Sequence, residues 1–120
     1  MATQYIGAGT HLANVTVTAF RLVSLSTNGG ITYTAANGKP AGVSQADCAS
    51  GDYVAVDYMH NGGTHKVESA GSAIAVGDVI YSGALGTVSG AGSTAVGIAM
   101  SAAPAASSTG TIIEFLPNTL

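Results

Sequence analysis

The stretch Tyr53-Val54-Ala55-Val56-Asp57-Tyr58 is two-faced: Val54 and Val56 share one side, Ala55 and Asp57 the other. Period-2 alternation over a short run is the mark of a strand with one face in a core and one in water. Gly51-Asp52 opens the stretch as a turn-to-strand step, a position Asp favours. Asn61-Gly62-Gly63 closes it, and Thr64-His65-Lys66-Val67-Glu68 is expected to pair back on it as the second arm of a hairpin. Asn-Gly supplies the positive φ angles that tight hairpin turns require. The same dipeptide recurs at Asn28-Gly29 and Asn37-Gly38.

Working outward, the same period appears on both sides. Asn14-Val15-Thr16-Val17-Thr18-Ala19-Phe20 sets Val15, Val17 and Ala19 against Thr16 and Thr18, which predicts a half-buried strand. Further strands are expected over residues 21–25, 31–34, 41–45, 78–81, 86–89, 96–100 and 111–116. About ten short strands at roughly ten-residue spacing predict an all-β fold, a small barrel or sandwich. Ala102-Ala103-Pro104-Ala105-Ala106 reads as a helical turn or a loop, because Pro104 interrupts it.

Composition agrees. Val, Ile and Thr number 31, whereas Leu, Glu, Lys, Arg and Gln together number 13. The 17 glycines argue against helix, since each interior Gly costs a helix about 1 kcal/mol relative to Ala. Only 8 % of the 120 residues are charged, and none between Asp78 and Glu114. Three Lys+Arg cannot neutralise a run of phosphates, so nucleic acid is not an expected partner. The uncharged segment is broken by Gly83, Gly86, Gly90, Gly92, Gly97, Pro104 and Gly110, so it supplies no membrane span. The first residues show neither a basic segment nor an apolar run, and no signal peptide is expected.

The chain also repeats itself. Arg21-Leu22-Val23-Ser24, Gly30-Ile31-Thr32 and Ala41-Gly42-Val43 are matched by Asp78-Val79-Ile80-Tyr81, Gly86-Thr87-Val88 and Val96-Gly97-Ile98. Two copies are too few for a solenoid and fit two interlocked halves of one domain. On this reading residues 14–120 form the domain. Residues 1–13 form an uncharged N-terminal arm outside the duplication.

Chemistry-bearing constellations are sparse. Cys48 is alone, which excludes a disulfide framework, and reads as a small semi-buried residue. Gly90-Ala91-Gly92-Ser93-Thr94-Ala95 has the spacing of a dinucleotide loop. A strand rather than a helix follows it, so it reads as a glycine-rich hairpin loop. Asp52, Asp57 and Asp78 could form paired acids, but Gly51-Asp52 and Gly77-Asp78 are turn-to-strand positions where Asp is favoured anyway, and His11 is expected to face solvent or a partner. His60 and His65 flank the Asn61-Gly62 turn with Asp57 near them. Two imidazoles and a carboxylate could hold a metal ion, or simply decorate a polar hairpin tip. No catalytic group and no cofactor is expected.

Several segments together resemble the small capsid cement, or head decoration, proteins of tailed bacteriophages. They are Tyr5-Ile6-Gly7-Ala8-Gly9, Pro40-Ala41-Gly42-Val43, Gly51-Asp52-Tyr53-Val54-Ala55-Val56, Ala75-Val76-Gly77-Asp78-Val79-Ile80-Tyr81, Ala95-Val96-Gly97-Ile98-Ala99 and Gly110-Thr111-Ile112-Ile113-Glu114-Phe115. The resemblance runs in order over most of the chain. It implies a non-enzymatic virion protein made in the bacterial host cytoplasm. It further implies homotrimers on the outer capsid surface that clamp neighbouring major capsid protein subunits. The uncharged arm, through Thr3, Gln4, Tyr5, Ile6, Gly7, Ala8, Gly9 and Thr10, is the expected capsid contact, adding a strand to an open sheet edge. Two other readings share the composition. One is a non-viral structural or adhesive module of an appendage or surface layer. The other is a small metal-binding barrel using Asp57, His60 and His65.

Overall fold

The computed structural model describes residues 8–59, 63–70, 73–104 and 111–117. Among them lie ten strands: β1 (Ala8–Leu12), β2 (Leu22–Leu25), β3 (Ile31–Tyr33), β4 (Gly42–Ser44), β5 (Tyr53–Tyr58), β6 (His65–Glu68), β7 (Val79–Ser82), β8 (Val88–Ser89), β9 (Ala95–Ala99) and β10 (Ile112–Pro117). One 3-10 turn, Ala84–Gly86, precedes β8. The expected all-β barrel or sandwich is what forms. No helix among the described residues is long and apolar enough to cross a membrane.

The strands make two five-stranded antiparallel sheets, ordered β1-β5-β4-β2-β3 and β6-β10-β9-β7-β8. Adding five to every strand number of the first sheet produces the second. The registers agree as well. Val43 stands opposite Leu22 and Asp57 as Ile98 stands opposite Val79 and Leu116. A parallel bridge from Ala13 to Ile31 curls the first sheet towards closure, and the bridge from Ser69 to Val88 does the same for the second. Val17 pairs with Cys48 as Ile74 pairs with Ala103. Each sheet with its loops is therefore one copy of a single unit.

This corrects the expected repeat boundary. The expected arm of residues 1–13 contains β1, which is the counterpart of β6 and pairs with β5 from Ala8↔Asp57 to Leu12↔Tyr53. Gly9 hides the strand from a pattern search: its lack of a side chain leaves no alternation to read. Residues 1–7 lie outside the described residues.

Three further expectations are overturned. Residues 14–20 keep their alternation in burial, with Val17 buried between exposed Thr16 and Thr18, but form no strand. The backbone is tied down piecemeal instead. Thr18 N–H donates to the Tyr33 hydroxyl (2.9 Å), Ala19 N–H donates to Asp47 Oδ1 (2.8 Å), and Phe20 turns the chain at φ 63°. The residues 53–58 and 64–68 form strands β5 and β6 but not a hairpin, since β6 pairs with β10. The connection between them crosses from one unit to the other. The loop of residues 90–94 likewise is no hairpin tip, because β7 lies between β8 and β9.

Alternation supplies the core. Inward-facing Val23, Ile31, Val54 and Val56 cluster with Ala13 and Val17 in the first unit. Their counterparts Ile80, Val88, Ile113 and Phe115 cluster in the second, together with Leu22, Val43 and Met59 from the first. Each such side chain removed from water contributes about 1.5–3 kcal/mol. Leu22 and Val43 sit on the opposite face of the first sheet from Val23, so that sheet is buried on both sides. Polar contacts seal the junction. The Arg21 guanidinium bonds Glu68 (3.1 Å) and the Leu85 carbonyl (3.0 Å), and the Ser82 hydroxyl donates to the Gly38 carbonyl (2.8 Å).

Candidate functional site

Strand β1 holds three of the eight expected contact residues, Ala8, Gly9 and Thr10. Thr3, Gln4, Tyr5, Ile6 and Gly7 lie outside the described residues. Because β1 ends the sheet order, its ladder with β5 uses one side of its backbone. Tyr58 reaches across Gly9 so closely that a Cβ there would fall on the phenol oxygen. The same hydroxyl lies 2.7 Å from His11 Nε2, whose Nδ1 is 3.3 Å from the Gly29 carbonyl oxygen. His11 thus faces neighbours within its own unit, and these contacts hold β1 flat against the sheet.

Of the His/Asp cluster, Asp57 and His65 lie among the described residues, and His65 is buried rather than exposed at a hairpin tip. Asp57 Oδ2 lies 3.0 Å from His65 Nδ1, which ties β5 of the first unit to β6 of the second. His65 is only 4 % exposed. Its Nε2 is buried with no hydrogen-bond partner among the described residues, and its ring packs 5.9 Å from that of Phe115. His60 lies outside the described residues. No group of three His, Cys, Asp or Glu that could hold a metal occurs among the described residues. The Asp57–His65 pair therefore acts as a clamp at the junction, with its outer nitrogen closed off from any substrate.

The remaining candidates are structural as well. The Asp78 carboxylate accepts the Ala75 N–H of its own turn (2.9 Å). Cys48 is semi-buried, as expected, and packs against the first core. Residues 90–94 lead into strand β9 rather than into a helix. They are held by Asn37, whose Oδ1 accepts Ser93 N–H (3.0 Å) and whose carbonyl accepts the Thr94 hydroxyl (2.8 Å).

The feature that sequence reading missed is a face. On the second sheet Val79, Ile98 and Leu116 form one cross-strand row over β7, β9 and β10, and all three are exposed. Val76 and Met100, close in sequence to this row, are exposed as well, and on β10 the charged Glu114 separates Leu116 from exposed Ile112. Isolated apolar residues on a surface are ordinary, but a contiguous apolar patch marks a contact. The charge-free segment between Asp78 and Glu114 was the available signal. It could not show which of its residues point outward.

Phage cement proteins match this sequence over residues 8–113. The chain belongs to the phage cement protein family. The match opens on the first residue of β1, so that strand is part of the family fold. Among solved structures, the head fiber gp8.5 N base of bacteriophage phi29 is similar, with a TM-score of 0.74 and 28 % identity over 92 % of each chain. No curated protein matches the sequence significantly. This cement protein is thus a structural, capsid-associated component of a phage virion.

Proposed function

We propose that this cement protein decorates the outside of the mature icosahedral capsid, binding as a trimer across neighbouring major capsid protein subunits. The observation that carries the proposal is the place of β1. Strand β1, which opens the described residues at Ala8, is the terminal strand of its sheet, so the described chain begins at a sheet edge. An extended segment there can add to an exposed sheet edge of a capsid subunit through backbone hydrogen bonds, with no side-chain motif. Small Ala, Gly, Ser and Thr side chains lose little rotamer entropy on such contact. A protein that binds the mature lattice and not its dissociated subunits stabilises the lattice by mass action.

The test is decoration of particles lacking this protein, read by cosedimentation. Deletion of residues 2–7, which leaves β1 whole, is expected to abolish cosedimentation while the circular dichroism of the free protein stays native. Undiminished binding by the truncated protein would show that the contact lies elsewhere. Particles carrying the full chain are expected to survive heating that disrupts undecorated ones.

A further inference from the structure

The duplication allows the two units to be compared residue by residue. By register, the row Leu22–Val43–Asp57 of the first sheet is the counterpart of Val79–Ile98–Leu116 of the second. Their environments are opposite. Leu22 and Val43 are fully buried, in the cluster that also forms the core of the second unit. Val79, Ile98 and Leu116 are 43–44 % exposed. A face that the first unit uses to dock on its neighbour is left open on the second.

The surface that receives the first unit also has a counterpart. Within the chain, the first unit lands on Glu68, Ser82 and Gly86. Glu68 N–H donates to the Phe20 carbonyl (2.8 Å), Gly86 N–H to the Thr34 carbonyl (3.0 Å), and the Ser82 hydroxyl to the Gly38 carbonyl (2.8 Å). Leu25 stands opposite Ile31 as Ser82 stands opposite Val88, so Leu25 is the counterpart of Ser82. Gly29 precedes Ile31 as Gly86 precedes Val88, and both glycines take left-handed φ values, 83° and 76°. Leu25 is 56 % exposed, and Gly29 is exposed beside it. The second unit therefore carries an open docking face, and the first carries an open flank of the kind that covers such a face.

We propose that a second copy of this chain seats its first-unit flank, around Leu25, on the Val79–Ile98–Leu116 face. The contact repeats between chains the packing that joins the two units within one. It is head to tail, with different surfaces on the two partners, so it closes into a ring where the rotation permits. It names the chain–chain contact of the proposed trimer and stands independently of any capsid.

Sedimentation of the purified protein tests it, with Leu25→Asp and Ile98→Asp, both at exposed positions. The unaltered chain is expected to sediment as a closed oligomer, and each variant at the single-chain mass of 11.7 kDa with native circular dichroism. An equimolar mixture of the two variants is expected to form a dimer and nothing larger, because one undamaged face meets one undamaged flank. A single-chain mass for the unaltered protein overturns the proposal. So does an oligomer that survives Ile98→Asp. Dissociation by Ile98→Asp but not Leu25→Asp would assign the face to another occupant, and a mixture that stays monomeric would rule out the head-to-tail pairing. Capsid binding is measured separately with the deletion of residues 2–7, so failure of either reading leaves the other intact.

Discussion

Two glycines show how one atom controls the packing of a sheet. A Cβ on Gly42 would strike the Asp57 carbonyl and Val56; one on Gly97 would strike the Leu116 carbonyl and Phe115. These are the same contacts in the two units, and backbone oxygens in a ladder cannot move aside. Gly97→Ala and Gly42→Ala are each expected to destabilise the fold by about 1–3 kcal/mol, the usual cost of overpacking, measured by urea unfolding. Phe115→Ala, which empties the centre of the second core, is expected to cost about 3–5 kcal/mol in the same assay. Asp57→Ala leaves the buried His65 without its carboxylate and is expected to cost about 1–3 kcal/mol. A Gly42→Ala protein as stable as the parent would contradict the close approach. The matched triplets Ala41-Gly42-Val43 and Val96-Gly97-Ile98 made both glycines visible in the sequence. Their reason was not visible, since it lies on the neighbouring strand.

Strands were legible where alternation and pairing coincide. β5 and β10 carry Val54/Val56 and Ile113/Phe115 inward, and their period-2 pattern located them to within a residue. Residues 14–20 show the limit of that signal. Alternation reports which side chains face a core, and an irregular segment can meet that demand while side chains and single bridges satisfy its backbone. β1 shows the converse, a paired strand with too little side-chain contrast to announce itself. Its pairing sets an expectation for truncation. Deleting residues 2–7 is expected to leave the amide exchange protection of β5 unchanged, whereas deleting residues 2–12 strips β5 of a partner along Tyr53 to Asp57 and should raise exchange there. Equal protection in both truncated proteins would show that β1 is dispensable to the sheet.

At the scale of the molecule, the two units are joined too intimately to be separate domains. Leu22, Val43 and Met59 belong to the second unit's core, and Arg21, Asn37 and Asp57 bond across the junction. A fragment ending at Met59 would expose Leu22 and Val43 to water, so it is expected to give a poorly dispersed amide spectrum. The whole chain is expected to unfold in one cooperative transition. A well-dispersed spectrum from the fragment would show that the first unit folds alone. The same asymmetry leaves Val79, Ile98 and Leu116 uncovered, and it gives the charge-free segment between Asp78 and Glu114 a physical meaning. Part of that segment fills a core, and part forms an outer face.

The sequence by itself determined the all-β class, most strand positions, the repeat and the family, because these rest on local periodicity and on turn chemistry written in consecutive residues. It did not determine which strands pair, where the repeat begins or which apolar rows remain outside. Pairing of β6 with β10 rather than β5, and burial of Leu22 against exposure of its counterpart Val79, depend on contacts between residues distant in the chain. One repeated pattern serves both units equally well, and only their packing against each other makes the two copies differ.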